Sequence, residues 1–173
     1  MYINPAIKNG TTAHIAAIYT LYQKVASIKG GLARTKNEIT TEYISLFVHK
    51  SIQSGIIIIA VDETTSAIVG EIHCYGSGIG VFAQVLGELT IAVDPDYQGK
   101  GIGRILFKKL LNTVINEKPE IIRIELIARE SNTKAISFYE SLGFKKEGRL
   151  EKRIQSASGG LEADIPMAWI RKY

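Results

Sequence analysis

One stretch constrains this chain more than any other: Glu88 to Leu111, E-L-T-I-A-V-D-P-D-Y-Q-G-K-G-I-G-R-I-L-F-K-K-L-L. Leu89 to Val93 is apolar and largely β-branched, as a buried strand requires. Asp94-Pro95-Asp96 ends it, because proline lacks the N–H a sheet ladder needs and aspartate favours turns. Gly99, Gly101 and Gly103 follow, and then Leu106, Phe107, Leu110, Leu111 and Val114 recur at helical spacing. A glycine-lined turn that opens a helix presents unpaired backbone N–H groups at the positive end of the helix dipole. Such a turn suits a phosphate or pyrophosphate.

The spacing narrows the ligand class. A phosphate-binding P-loop needs Ser or Thr after its lysine, and Gly101 follows Lys100. A dinucleotide fingerprint started at Gly101 would need its third glycine where Leu106 stands. The pattern present is Q-x-x-G-x-G, with Gln98, Gly101 and Gly103 in the fixed places. It resembles the acetyl-CoA signature of the GNAT superfamily of N-acetyltransferases. A second block, Ser131 to Phe144, is similar to the other signature of that superfamily, N-x-x-A-x-x-x-Y-x-x-x-G-F, through Asn132, Ala135, Tyr139, Gly143 and Phe144. The tail from Glu147 to Trp169 is similar to the ends of members that acetylate protein N-termini or small amino acids.

Composition fits one domain over residues 1–173. The hydrophobic fraction is 46% and the charged fraction 22%, ordinary for a globular chain. A net charge of +4 favours a polyanionic ligand, yet no basic tail or stripe suggests nucleic acid. The longest apolar run, Ile56 to Val61, is too short to span a bilayer, and no secretory leader is visible, so a cytoplasmic protein is expected. One cysteine, Cys74, forbids an internal disulfide and, in a strand, reads as core filler. Three histidines without metal-ligand spacing predict no metal.

The periodicities predict strands at Tyr2–Ile7, Ile56–Val61, Ile68–Tyr75, Val81–Val93, Ile121–Ala128, Arg149–Ile154 and Glu162–Trp169, the last two joined by Ser158-Gly159-Gly160. Gly87 is the candidate for a bulge in the fourth. Helices are predicted from Thr11 or Thr12, with Ile15, Ile18, Leu21, Tyr22 and Val25 inward, and from Thr40 or Thr41, with Tyr43, Ile44, Phe47, Val48 and Ile52 inward. Two more run from Gly103 to Glu117 and from Asn132 to Leu142. The fold class is mixed α/β (α+β), a twisted, largely antiparallel sheet flanked by helices. This order of elements matches the GNAT acyl-CoA N-acyltransferase fold.

The resemblance implies an enzyme that passes the acetyl group of acetyl-CoA directly to a primary amine of a small molecule or a protein N-terminus. The coenzyme would lie against the main chain of Ile91, Ala92 and Val93, its pyrophosphate held by Gln98, Gly99, Lys100, Gly101, Ile102, Gly103 and Arg104. Asn132 and Tyr139 would complete its site. Acyl transfer needs a neutral amine, a stabilised oxyanion and a proton for the leaving thiolate. Tyr139 is the candidate acid and Glu88, through water, the candidate base. Glu125 and His73 are the rivals for the second role; Ile127 occupies the place of the base in ribosomal-protein-alanine acetyltransferases. Neither a metal, a nucleic acid nor a membrane is an expected partner, and a homodimer is the candidate assembly. The alternatives are a non-catalytic acyl-CoA-binding or sensing domain on the same scaffold, and a fold that uses the turn for another phosphate ligand. The acceptor is assigned by resemblance to Leu32–Ile39, Tyr75–Gly80 and the hairpin at Gly159.

Overall fold

The computed structural model describes residues 5–28, 30–156 and 159–172. In chain order the elements are β1 (Ala6–Asn9), α1 (Ile15–Ala26), α2 (Thr41–Ser54), β2 (Gly55–Asp62) and β3 (Ala67–Tyr75). There follow β4 (Val85–Val93), α3 (Ile102–Glu117), β5 (Arg123–Arg129), α4 (Thr133–Ser141), β6 (Lys145–Lys146), β7 (Leu150–Gln155) and β8 (Leu161–Ile170). The sheet order is β1-β2-β3-β4-β5-β8-β6, with β7 also on β8. Every pairing is antiparallel except that of β4 with β5. The mixed, largely antiparallel architecture is the one expected from the sequence.

Helices cover both faces of the sheet, and each face has its own core. On one, Ile102, Leu106, Phe107, Leu110 and Val114 of α3 pack with Ile136 and Phe144 against β2 to β5 and β8. On the other, Ile18, Leu21, Tyr22 and Val25 of α1 and Ile44, Phe47 and Val48 of α2 pack against Ile57, Ile59, Ile68 and Ala92. Gly70 sets the depth of α3. A Cβ there would come within 2.9 Å of both Ile102 Cγ2 and Leu106 Cδ1, so only glycine admits the helix this close to β3.

Several expectations shift. The first strand begins at Ala6, and residues 2–4 of the expected Tyr2–Ile7 strand lie outside the described residues, as does Ser158 of the terminal hairpin. Val81–Val93 is not one strand: Gly80–Phe82 forms a 3-10 turn and pairing begins only at Val85. Val81 and Phe82 are exposed, so strand propensity goes unused where no neighbour pairs with it. Ile52 is half exposed while Ser51 is buried, because the inward arc of α2 runs through Ile44, Phe47, Val48 and Ser51. The two-residue strand β6, which no periodicity could announce, pairs with β8 beyond Phe144. Thr40 caps α2, its side chain accepting from the Tyr43 N–H, and Gly55 closes the helix.

Candidate active site

The glycine turn takes its shape from backbone conformation. Gly99 and Gly101 have φ of +73° and +83°, values an L side chain rarely adopts, and no heavy atom lies within 4 Å of a Cβ built on either. The room beside them is therefore open, not filled by protein. Gly101 is the N-cap of α3 and supplies no side-chain cap. The first helical hydrogen bond is Ile105 N–H to Gly101 C=O, so the N–H groups of Ile102, Gly103 and Arg104 precede the ladder. The side chains around them point elsewhere. Lys100 Nζ donates to Asp96 C=O at 2.8 Å and sits over the Tyr97 ring, and Arg104 donates to Ser141 Oγ at 3.1 Å. Gln98 Nε2 donates to Val93 C=O at 3.3 Å and ties the turn to the end of β4.

β4 touches β5 only at Val85–Arg123 and Leu86–Ile124, and then the two strands part. The break coincides with a bulge: between the pairs Tyr75–Gly87 and His73–Thr90, β4 carries one residue more than β3. Glu88 holds the bulge at φ +53°, a conformation that costs a non-glycine residue about 1–2 kcal/mol. Gly87 was the expected site, and the left-handed residue is its neighbour. Beyond the bulge, Asp94 N–H donates to Val69 C=O. By the two-residue alternation of an antiparallel ladder, Ala92 and Thr90 also bond to β3, through Glu71 and His73. The N–H and C=O groups of Ile91 and Val93 therefore face the gap opened by the departure of β5. Ala92 turns its main chain to β3 and buries its side chain, so it reaches the gap only as the link between them.

The gap opens into a wide cleft. Its walls include Glu88 and Thr90 of β4, Glu125, Ile127 and Arg129 of β5, Asn132, and the aromatic patch of Tyr43, Phe47, His73 and Tyr75. Glu88 is exposed, and its carboxylate makes no hydrogen bond or ion pair among the described residues. Glu125 differs: Arg123 Nε holds it at 2.5 Å while the same guanidinium grips Glu147. Asn132 caps α4, its Oδ1 accepting from Ala135 N–H at 3.2 Å, and also lines the cleft. His73 lies at the inner end, stacked on Phe47 with 3.9 Å between ring centroids.

Tyr139 is not on the cleft wall. Its ring packs with Phe107, Phe138 and Phe144 between α3 and α4, and burial pushes its phenol up to about 12. The hydroxyl makes no hydrogen bond among the described residues. Cys74 is buried and its thiol is likewise pushed up to about 12, which leaves no thiolate at neutral pH.

Sequence reasoning missed Glu71 and Tyr22 as polar partners of His73. Glu71 is fully buried, accepts from Tyr22 OH at 2.6 Å and lies 3.0 Å from His73 Nδ1. A signal existed, since a glutamate in the otherwise apolar run A-I-V-G-E-I-H-C-Y needs a reason to be there. Its partner on α1 is too distant in sequence for spacing to reveal.

A family model described as the acetyltransferase (GNAT) domain matches residues 53–146, more than half of the chain. The [ribosomal protein bS18]-alanine N-acetyltransferase of Escherichia coli (strain K12) is 42% identical over 87 residues, 49% of this chain and 57% of that protein. The N-alpha-acetyltransferase RimI of Mycobacterium tuberculosis is 40% identical over 70 residues, 40% of each chain. The chain thus spans little more than half the length of the first of these relatives. Among solved structures, a GNAT-family acetyltransferase from Streptococcus pneumoniae superposes with TM-score 0.86 at 17% identity, covering 97% of this chain and 100% of that one. A phosphinothricin acetyltransferase from Sinorhizobium meliloti in complex with AcCoA gives 0.77 at 15%, covering 98% and 89%. At these identities the solved structures speak for the fold, and with the family match over residues 53–146 they place the chain in the GNAT acetyltransferase family.

Proposed function

We propose that this protein transfers the acetyl group of acetyl-CoA to a primary amine, and that the amine is the N-terminus of a peptide or protein. The acceptor class follows the names of the curated relatives from Escherichia coli and Mycobacterium tuberculosis. The observation that carries the reaction is the parting of β4 from β5 beside an open glycine turn. It leaves the main chain of Ile91 and the N–H of Val93 turned to the gap, where an extended pantetheine arm would pair with them. The N–H groups of Ile102, Gly103 and Arg104 are placed for a pyrophosphate.

Acetyl-CoA supplies the activated acyl group; the chain supplies positions and proton traffic. The Ile91 N–H polarises the thioester carbonyl and stabilises the oxyanion. Glu88, exposed and unpaired, draws the ammonium to the gap and takes its proton through water. Glu125 is held by Arg123 Nε at 2.5 Å, which leaves it less free than Glu88 to meet an amine. Tyr139 has a phenol held at about 12, so it stays protonated and donates a hydrogen bond to the departing sulfur. A thiol near pKa 8.5 lies well below that phenol, so the sulfur takes its full proton from the amine, not from Tyr139.

The test is thiol release from acetyl-CoA with a panel of small amines and peptides differing in their first residue. Release with peptides bearing a free α-amine, and none when that amine is blocked, supports the reading. Acetyl-CoA binding without release on any acceptor would make the chain a sensor.

A further inference from the structure

Glu71 is the one fully buried carboxylate among the described residues, and no lysine or arginine reaches it. Burying an ionised carboxylate costs several kcal/mol unless donors satisfy it. Two do. Tyr22 OH lies 2.6 Å from Oε2, a length typical of a hydroxyl donating to a charged oxygen. His73 Nδ1 lies 3.0 Å from Oε1 and 3.2 Å from Oε2. Burial and the neighbouring Glu71 raise the Tyr22 phenol well above its ordinary value, so it remains a donor. The carboxylate then accepts from Tyr22 O–H and from His73 Nδ1–H. With Glu71 ionised, that bookkeeping puts the proton on Nδ1 and leaves Nε2 its lone pair.

Nε2 has no protein partner among the described residues, and His73 lines the inner end of the cleft beside Thr90, its cross-strand neighbour. The ring cannot swing away. It is stacked 3.9 Å from Phe47 and lies parallel to Tyr75 at 6.2 Å. His73 thus spends Nδ1 on Glu71 and keeps Nε2 without a described protein partner in a residue that lines the cleft.

We propose that His73 is a second proton acceptor for the incoming amine, with Glu71 as the positioning residue that fixes its tautomer and stabilises the imidazolium. The proposal rests on the acetyltransferase reading above. The acceptor ammonium loses one N–H proton to Nε2, and its freed lone pair forms the bond to the thioester carbon. The C–S bond breaks with its electron pair on sulfur, which takes the second N–H proton. The imidazolium then passes that proton through cleft water towards Glu88 and on to solvent, so ammonium and thioester give amide, thiol and one proton, with His73 and Glu88 acting in series. The charged and titratable groups facing His73 are Glu71 and Tyr75 on β3, Tyr22 on α1, Tyr43 and Lys50 on α2, Glu88 on β4, and Arg34 over the Tyr43 ring. Glu88 gathers ammonium at the rim, and His73 works at the floor.

Two measurements on the intact chain test this. In the wild-type protein, nitrogen-15 NMR of the imidazoles reads the His73 tautomer. Nδ1–H with a bare Nε2 is expected, and an Nε2–H tautomer overturns the proposal whether or not any amine reacts. In kinetics, His73→Gln lowers kcat by about 10²-fold with acetyl-CoA affinity unchanged. The residual turnover of Glu88→Gln keeps a pH dependence that disappears in the double variant. If that pH dependence survives the loss of His73, the histidine is structural. If the wild-type protein binds acetyl-CoA yet acetylates nothing, the parent reading fails instead, and the tautomer still stands as its own result. A His73→Gln chain that does not fold leaves the NMR measurement to decide.

Discussion

The glycine turn and the cleft lie at opposite ends of the same stretch of β4, and they are built in opposite ways. The turn is made of backbone. Its N–H groups come from consecutive residues, its shape from Gly99 and Gly101, and its side chains turn aside to Asp96 and Ser141. The cleft is made of side chains from α2, β3, β4, β5 and the segment before α4, brought together only by the fold. A site of the first kind binds what is common to a large family of reactions, because main-chain donors are available to any sequence that can make the turn. A site of the second kind can change its ligand one side chain at a time.

That contrast is broken most sharply by a β-branched residue in the turn. Gly101→Val places a Cβ in the open space at the start of α3 and asks valine to hold φ near +83°, which costs a non-glycine residue about 1–2 kcal/mol. We expect acetyl-CoA affinity by calorimetry to fall at least 100-fold, about 2.8 kcal/mol or more, while the cleft is untouched. If affinity falls little, the pyrophosphate lies elsewhere and the turn is only a helix start.

The reverse separation comes from Glu88→Gln. The substitution keeps the shape of the bulge and removes a carboxylate at the gap that pairs with nothing among the described residues. Turnover should drop about 10²- to 10³-fold with acetyl-CoA affinity and melting temperature unchanged. Loss of coenzyme binding in parallel would mean that the two regions are a single unit. Equal turnover would return the role of base to Glu125 or leave it to His73.

How much of this was readable beforehand follows from the same contrast. The turn was legible because its determinants are contiguous: Gln98, Gly101 and Gly103 stand at fixed spacing, and so do the positions from Asn132 to Phe144. The sheet was legible from apolar runs, apart from the two residues of β6 and the false start at Val81. The cleft was hardly legible. Glu71, His73 and Tyr22 meet only because β3 faces α1, an arrangement separated by 49 residues in the chain. The bulge was expected at Gly87, but which residue of a bulge takes the left-handed conformation depends on the register against β3. Glu125 was a plausible base until the fold put Arg123 on it.

Tyr139→Phe probes the boundary between the two regions, since its ring belongs to the α3–α4 packing and lies off the cleft wall. Removing only the oxygen should lower kcat about 10-fold, the worth of a single hydrogen bond of about 1–1.5 kcal/mol. Coenzyme affinity should hold. Because burial holds the phenol well above its ordinary value, its deprotonation should produce no alkaline fall in rate up to about pH 10. A loss of activity near pH 10 that is absent from the Phe variant would contradict the buried, protonated phenol.

The smallest effect concerns what anchors the turn to the rest of the molecule. Lys24 of α1 reaches Asp94 and Asp96 at 2.7 Å each, and Tyr97 OH donates to Asp62 at 2.6 Å. The Tyr97 hydroxyl and the Thr64 N–H hold Asp62 below its ordinary value, as Lys24 does for Asp96. Carboxylates lowered in this way contribute stability that is present above their unfolded pKa, about 3.9, and lost as pH falls through the lower folded value. Lys24 is raised by Asp94 and then Asp96, so its share is present below about 10.4 and lost as pH rises through its folded value. Turn anchoring should therefore be constant from about pH 5 to pH 9 and weaken on both sides. Lys24→Met should raise the acetyl-CoA dissociation constant less than about five-fold, as fits an exposed ion pair, and should flatten the alkaline limb of melting temperature against pH. A larger loss of coenzyme affinity would show that the turn depends on side chains of α1, and the division between a backbone-built and a side-chain-built site would have to be redrawn there.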